Sequence, residues 1–370
     1  MSPCAIPAAK PVDLLQSLPP GATILLIRLR SLGDTILSTP LYAALKSWRP
    51  DLRLSVLVES PNDEVLRHNP DLDNVISIRA SGKSALGVFA ARYGALKQIS
   101  AAKFDCCINL HGGVTSAWLT ALSGAHHRVG VSTFRNRIAY NFIIEVPRGK
   151  PVDRKPHTVE YQISWLNYLG LPRGPIPPLR LVPDPSRRVS ALGKLHDAGL
   201  DSGRDYAVIQ PTSKFHTKEW PAEGFAAIAD EIAIKHGLQV VLLGGPGEEE
   251  KIGRVERLCG SSPVVVQNVS ISDLVWVVRG AKLFVGNDSG PTHIAAALQV
   301  PIVVLFGSSD SQVWYPWKSS HQIVQNDFAC NPCPGRRCLV YGKSRCILSI
   351  TPEQVKTAVA AQLRLSTRLS

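Results

Sequence analysis

Acidic side chains are in short supply. The 370-residue chain carries 29 Asp and Glu against 41 Lys and Arg, leaving a net charge of +12. Such an imbalance favours anionic partners: phosphorylated metabolites, nucleic acid or an acidic membrane surface. Nucleic acid fits poorly and is not expected, because no basic block interleaved with aromatic residues occurs. Long apolar runs are missing as well. No window holds about 20 apolar residues without a charge, so no membrane span is expected. Met1–Pro20 lacks a charged head followed by a long apolar run, so no secretory leader is expected. The expectation is a cytoplasmic protein whose basic surface rests on an anionic leaflet.

What is present is ordinary globular composition, 45% hydrophobic and 19% charged. The length favours two domains over one core. Apolar runs and helical periodicities alternate from Ala22 onward. Ala22–Leu29, Leu54–Val58 and Phe104–Leu110 read as buried strands, while Thr35–Trp48, Ser84–Ala101 and Thr115–Leu122 read as helices. Six prolines between Leu171 and Arg187 mark a stiff connection. Alternation then resumes with strands at Tyr206–Ile209, Gln239–Leu243, Val264–Val266, Leu283–Val285 and Ile302–Leu305. This pattern predicts an α/β chain of two doubly wound domains facing a cleft, with ligands at the carboxyl ends of the strands. The expected boundaries are an extension over 1–20, domains over 21–175 and 176–350, and a last helix over 351–370 that packs back toward the first domain.

Three post-strand loops carry chemistry. In Arg28-Leu29-Arg30-Ser31-Leu32-Gly33-Asp34-Thr35, Ser31 and Gly33 permit a tight turn. Asp34 reads either as a helix cap or as a carboxylate able to take a proton from an acceptor hydroxyl. In Gln210-Pro211-Thr212-Ser213-Lys214-Phe215-His216-Thr217-Lys218-Glu219-Trp220-Pro221, Thr212 and Ser213 are hydroxyl donors. Lys214 and Lys218 are compact cations suited to phosphate oxygens. A solvated polar loop is the plainer reading.

In Gly286-Asn287-Asp288-Ser289-Gly290-Pro291-Thr292-His293, small residues lead into an Ala-rich helix whose first amides form an anion site. Asp288 reads as a ribose-hydroxyl ligand or a cap, and His293 as a phosphate donor or a core histidine. The turn Leu243-Gly244-Gly245-Pro246-Gly247-Glu248 is a weak signal alone. His111-Gly112-Gly113 and His126-His127-Arg128 lie after later strands of the first domain and belong to an acceptor side with Arg30, Ser31 and Gly33. Cys330, Cys333, Cys338 and Cys346 fall within 17 residues. Zinc, redox-sensitive pairing and free thiols all remain open for them; their late position reads as structural, outside the strand-end loops.

Together these segments resemble the bacterial heptosyltransferases of lipopolysaccharide core assembly, glycosyltransferase family 9. Ser31-Leu32-Gly33-Asp34, Lys218-x-Trp220-Pro221, Gly244-Gly245-Pro246-Gly247 and Asn287-Asp288-Ser289-Gly290-x-x-His293 occur in the family's order. The segment ending at Cys346 and Thr351-Pro352-Glu353 are also similar to many members. The resemblance implies a GT-B fold of two Rossmann-like domains and an inverting, metal-independent transfer of heptose from ADP-heptose, with no cofactor required. The acceptor it implies is a lipid-anchored core oligosaccharide at the inner face of the inner membrane.

The resemblance makes Asp34 the base or acceptor-orienting residue and Lys218 a donor-phosphate ligand. Thr212, Ser213, Lys214, Glu248, Asp288, Ser289, Gly290 and His293 fall on the donor side, with Val269 against the adenine. Arg30, Ser31, Gly33, His111 and Arg128 fall on the acceptor side. The segment Pro211–Lys218 resembles the branch that adds a later core heptose, in which an arginine is usual where Lys214 stands. A related transferase using another nucleotide sugar or another acceptor is the alternative. A non-catalytic nucleotide-binding protein is disfavoured by the presence of both Asp34 and Lys218. A nucleotide-sugar epimerase is disfavoured because no Gly-x-Gly-x-x-Gly follows the first strand.

Overall fold

The computed structural model describes residues 12–80, 82, 84–146, 155–333 and 335–367. They divide into two compact units, the first ending at Val182 and the second beginning at Pro183. The first contains β1 (Thr23–Ile27), β2 (Arg53–Glu59), β3 (Asn74–Ile78), β4 (Cys106–Asn109), β5 (His127–Val131) and β6 (Phe142–Ile144). The second contains β7 (Tyr206–Gln210), β8 (Gln239–Leu243), β9 (Val264–Val266), β10 (Leu283–Asn287), β11 (Ile302–Leu305) and β12 (His321–Val324). Each set forms one parallel sheet, ordered β3-β2-β1-β4-β5-β6 and β12-β11-β10-β7-β8-β9. Numbered within its own unit, each sheet has the order 3-2-1-4-5-6 of doubly wound nucleotide-binding folds.

Sequence explains the central strands directly. Parallel strands covered on both faces must be continuously apolar, and Ile24–Ile27 and Leu283–Val285 have no exposed surface. On one face of the first sheet, Leu25, Ile27, Leu57 and Ile76 pack with helix residues Ala95, Ile99 and Leu119. The helix expected over Thr35–Trp48 is two helices, Leu32–Leu37 and Thr39–Trp48. Pro40 has no N–H to continue the ladder, and the Thr39 hydroxyl instead donates to Ile36 O at 2.8 Å.

Three expected boundaries differ. Of the extension over 1–20, the described part belongs to the first unit: Leu14, Leu15 and Leu18 are buried and Leu15 N donates to Leu169 O at 2.9 Å. Residues 1–11 lie outside the described set. The break comes later than 175, because the Arg180 guanidinium reaches Asp71 at 2.9 Å and its amide donates to Thr39 Oγ1 at 3.0 Å. The last helix, Pro352–Thr367, was expected against the first domain. Its Val355 and Val359 are instead buried in the core of the second unit with Val303, Leu305 and Phe225, because they supply the apolar cover that strands β11 and β12 need. Among the described residues no helix is long and apolar enough to cross a membrane.

The start of the second unit is held by one carboxylate. Asp273, fully buried, accepts Arg187 Nε at 3.1 Å and Nη2 at 2.9 Å and is bonded by Lys194. Burial alone raises a carboxyl; the Lys194, Arg187 and Ser270 hydrogen bonds outweigh it and hold Asp273 below the usual carboxylate range. A depressed carboxyl contributes stability that is present above its unfolded pKa and is lost as pH falls through the folded value. Asp273→Ala should therefore cost about 2–4 kcal/mol at neutral pH, read by urea denaturation. The gap from the unsubstituted chain should narrow below about pH 4, and a constant gap down to pH 3 would contradict this account.

Candidate functional site

In each sheet the chain reverses direction of winding between two central strands, β1 and β4 in the first unit and β7 and β10 in the second. Loops leaving such a pair diverge and open a crevice at the carboxyl edge. The three chemistry-bearing loops and His111 leave these four strands.

In the second unit Asn287, the last residue of β10, organises the loop after β7. Its side chain has no exposed surface. Oδ1 accepts Trp220 N at 3.1 Å and Nδ2 donates to Pro211 O at 2.9 Å. The loop that starts at Pro211 is therefore clamped at both ends, with Lys218 between the clamps. Lys218 Nζ donates to Asp288 Oδ2 at 2.6 Å, and Ser309 Oγ donates to the same oxygen at 2.5 Å. Gln210 joins the two loops by bonding Thr212 Oγ1 and accepting Ser289 Oγ at 3.2 Å. Ser289 is the N-cap of the helix Gly290–Ala297, whose first amides carry the positive end of the dipole. Asp288 is thus not the cap of that helix, and Thr292 Oγ1 fixes its first turn by donating to Asn287 O at 2.7 Å.

Thr212, Lys218, Asp288 and Ser289 are brought together in this network. Ser213 and His293 are buried nearby in chain order, and Lys214 is exposed on the loop. Glu248 and Val269 follow β8 and β9, the strands beyond β7. Glu248 Oε2 accepts Gly245 N at 2.8 Å and so closes its own turn, while Val269 is buried.

In the first unit Asn109, the last residue of β4, plays the part that Asn287 plays in the second. Its Oδ1 accepts His111 N at 2.9 Å and Gly112 N at 3.0 Å. Asp34 lies at the third position of the helix Leu32–Leu37, with Ser31 as N-cap. Its Oδ2 accepts Ser31 Oγ at 2.9 Å and Ser31 N at 3.2 Å, while Oδ1 is 4.0 Å from the Arg28 guanidinium. Asp34 is thus the capping-box partner of Ser31, and its side chain keeps 28% of its surface exposed at the carboxyl edge of the sheet. His111 Nδ1 lies 3.1 Å from Arg30 O; a carbonyl only accepts, so this nitrogen carries the proton. Burial, and next the Arg28 charge, hold His111 below the usual imidazole range.

Arg128 does not join this group. It is the second residue of β5, in register with Cys107, and thus lies below the carboxyl edge. Its guanidinium donates to Ala125 O at 3.1 Å and Ala139 O at 3.3 Å, which makes it a structural tie.

Two contributors escape sequence reasoning. Arg28 is buried behind Asp34 with Nε lacking a hydrogen-bond partner; its place inside the apolar run Ala22–Leu29 is the available signal. The cysteine segment, read as lying outside the strand-end loops, braces them. Cys333 N donates to Ser308 O at 3.0 Å, Asn331 Nδ2 to Gly307 O at 2.9 Å, and Thr217 Oγ1 to Gly335 O. Cys330, Cys333, Cys338 and Cys346 line one small hollow with Thr217 and Ser308. The described cysteines are free thiols. Among the described residues no three metal-ligating side chains stand close enough to hold an ion.

A family model described as glycosyltransferase family 9 (heptosyltransferase) matches residues 92–343. Lipopolysaccharide heptosyltransferase 3 of Escherichia coli is 28% identical over 304 residues, 78% of this chain and 84% of that protein. The glycosyl transferase family 9 structure from Veillonella parvula DSM 2008 aligns with a TM-score of 0.81 at 24% identity, covering 94% of this chain and 99% of that one. E. coli heptosyltransferase WaaC with ADP-2-deoxy-2-fluoro heptose aligns with a TM-score of 0.65 at 22% identity, covering 92% and 99%. The two doubly wound units are those of the GT-B fold.

The bracing has a testable consequence at Gly307. A Cβ there would lie 2.4 Å from Thr217 O and 2.9 Å from Ile347 Cβ, so backbone of the Lys218 loop must move. Gly307→Ala should lower the unfolding free energy by about 1–3 kcal/mol in a denaturant titration. Gly174→Ala, where nothing lies near the new methyl, serves as the control and should be near neutral. Equal midpoints for both variants would mean that the close approach imposes no constraint.

Proposed function

The chain belongs to glycosyltransferase family 9, the heptosyltransferases, and from that premise we propose that it moves heptose from ADP-heptose onto a lipopolysaccharide inner-core acceptor, with inversion and without a metal. The observation that carries this reading is the second unit's switch point. There an ammonium group, Lys218, is held by Asp288 and Ser309 beside the helix start at Ser289–Gly290. An ADP diphosphate is the ligand whose charge matches a fixed cation next to unsatisfied helix amides. The ADP-sugar complex of the E. coli relative gives this chemistry its nucleotide.

The reaction is a single displacement. A core hydroxyl oxygen attacks the anomeric carbon from the face opposite the diphosphate. Its proton passes to the Asp34 carboxylate. The bond from the anomeric carbon to the phosphate oxygen breaks, and its electron pair leaves with ADP. Lys218, with Lys214 on the same loop and the Gly290 and Thr292 amides, offsets the charge that grows on the leaving group. In this reading those cations and the helix dipole stand where other transferases use a divalent ion. Thr212, Ser213 and Ser289 supply hydroxyls to the donor, Val269 an apolar wall for the base, and His293 a further donor. Arg30, Ser31, Gly33 and His111 form the acceptor edge around Asp34.

Asp34→Asn should lower turnover by about 10²- to 10⁴-fold while leaving the ADP-heptose dissociation constant within about twofold. Turnover at the unsubstituted rate would remove Asp34 from the role of base. Lys218→Ala should instead weaken donor binding by about tenfold or more in calorimetric titration. Donor choice is tested by thermal shift with ADP-, UDP- and GDP-sugars. Undiminished activity in EDTA and a product of inverted anomeric configuration by NMR complete the assignment.

A further inference from the structure

The first unit carries apolar side chains where a water-facing surface does not need them. The helix Ala85–Ala101 buries Ala95 and Ile99 against the sheet, yet its opposite face shows Leu86 at 78%, Phe89 at 66% and Tyr93 at 55% exposure. These follow the i, i+3, i+7 spacing of one helical stripe, and the Phe89 and Tyr93 rings stack at 6.4 Å. A helix apolar on both sides is normally covered on both sides. The helix Val114–Ala121 covers the same sheet face through Leu119. It also turns outward an apolar row, Val114, Trp118 and Leu122, each about half exposed. Exposed apolar rows on two helices that cover the same sheet face are the mark of an interaction site.

Charge identifies the partner. Between Arg79 and Glu145 the sequence holds eight Lys and Arg and two acids, Asp105 and Glu145. Arg79, Arg92 and Arg137 pair with Asp63, Glu59 and Glu145, while Lys97, Lys103 and Arg135 are exposed cations. Asp105 faces inward, accepting Thr23 N at 2.7 Å and Thr23 Oγ1 at 2.9 Å. The last turns of the first helix replace the apolar stripe with Lys97, and Lys103 follows, both exposed. Aromatic and aliphatic side chains flanked by lysine, with no acid on either helix, match an anionic lipid surface. The rings enter the headgroup boundary and the ammonium groups meet phosphates.

We propose that the outer faces of the helices Ala85–Ala101 and Val114–Ala121 form a membrane-docking surface selective for anionic phospholipid. Both helices follow β3 and β4 and so begin at the carboxyl edge of the sheet, the edge that carries Asp34 and His111. Docking by this surface brings that edge to the bilayer, where a lipid-anchored acceptor resides. The inference deepens the heptosyltransferase reading by naming how the acceptor's membrane is engaged, and it rests on that reading only for this last step.

The test is flotation of the full chain with vesicles of phosphatidylcholine alone or with 30% phosphatidylglycerol, a proportion of about one anionic lipid in three being ample for a basic surface. The expected result is binding to the anionic vesicles only, weakened severalfold by 0.5 M salt, at which screening reaches about 4 Å. Phe89→Glu with Tyr93→Glu, both at exposed positions, should lose about tenfold or more in vesicle partitioning with an unchanged melting temperature. Lys97→Glu with Lys103→Glu should lose the preference for anionic lipid. Turnover on a delipidated core oligosaccharide should be the same in all variants. Variants that bind vesicles as the unsubstituted chain does would overturn the proposal. So would sedimentation showing a dimer in the unsubstituted chain that Phe89→Glu dissolves, since the surface would then be covered by a second copy. Absence of turnover on any acceptor with docking intact would instead count against the heptosyltransferase reading and leave the surface standing.

Discussion

A parallel strand has to be followed by a crossover before the next strand can begin, so every strand-to-helix loop of a parallel sheet leaves from the same edge. Both sheets of this chain obey that constraint, and in both the winding reverses between the first and fourth strands of the unit. Helices leave toward opposite faces at that point, and the loops part. Asp34 and His111 flank the gap above β1 and β4. The Lys218 loop and Asp288 flank the gap above β7 and β10. No pair of these residues is close in sequence; the hydrogen-bond ladder of the sheet makes them neighbours within each unit.

A gap lined by loops would be soft without further ties, and the two units solve this in the same way. The fourth strand of each ends in an asparagine, Asn109 and Asn287, with almost no exposed surface. An amide side chain both donates and accepts, so one buried residue can satisfy the backbone of two loops. Asn109 holds the His111–Gly112 turn and reaches Tyr140 and Thr120. Asn287 holds Pro211 and Trp220. Removing either side chain would leave buried backbone groups unsatisfied, which costs more than the bonds themselves contribute. The second unit adds an outer brace, the cysteine segment behind Thr217 and Ser308. The Lys218–Asp288 pair is therefore positioned by rigid neighbours on both sides, and little side-chain entropy remains to be lost when an anion binds.

The central strands were legible because burial on both faces leaves an unbroken apolar run, as in Ile24–Ile27 or Val240–Leu243. Strands β3, β6, β9 and β12 lie at sheet edges, and together with β5 they mix buried positions with half-buried or exposed ones. β3, β5 and β12 carry no long apolar run and were not anticipated, nor was the three-residue β6, Phe-Ile-Ile; β9 was legible from its three valines. The loops at the site were legible as motifs, but motif order says nothing about depth along a strand. Arg128 sits in a basic cluster after an apparent strand, yet its register with Cys107 puts it below the edge. Arg28 was hidden for the opposite reason: it reads as one of a pair of basic loop residues, while its neighbour Arg30 is the one that faces solvent. The bracing role of the cysteines depends on contacts over a hundred residues apart, which no local pattern encodes.

The net charge of +12 reads first as the signature of a phosphate-bearing substrate, and the structure redistributes that reading. At the candidate donor site positive charge is offset at close range, Lys218 meeting Asp288 at 2.6 Å. An anion bound there, as proposed, would be recognised by the geometry of a few groups and a helix start, which changes the net charge of the molecule by very little. On the first unit Arg79, Arg92 and Arg137 are likewise paired, with Asp63, Glu59 and Glu145, but Lys97 and Lys103, on and just after the helix Ala85–Ala101, are exposed and that helix carries no acid. Field from such cations acts over a Debye length, about 8 Å at physiological salt, and so reaches an extended surface more effectively than one small ligand. In the proposed reading, short-range complementarity at the second unit's switch point and long-range attraction on the outer helices are separate uses of the same basic composition. Under the proposed function a site that binds and releases a diphosphate would need balanced charge, whereas a surface that finds an anionic sheet would need an excess.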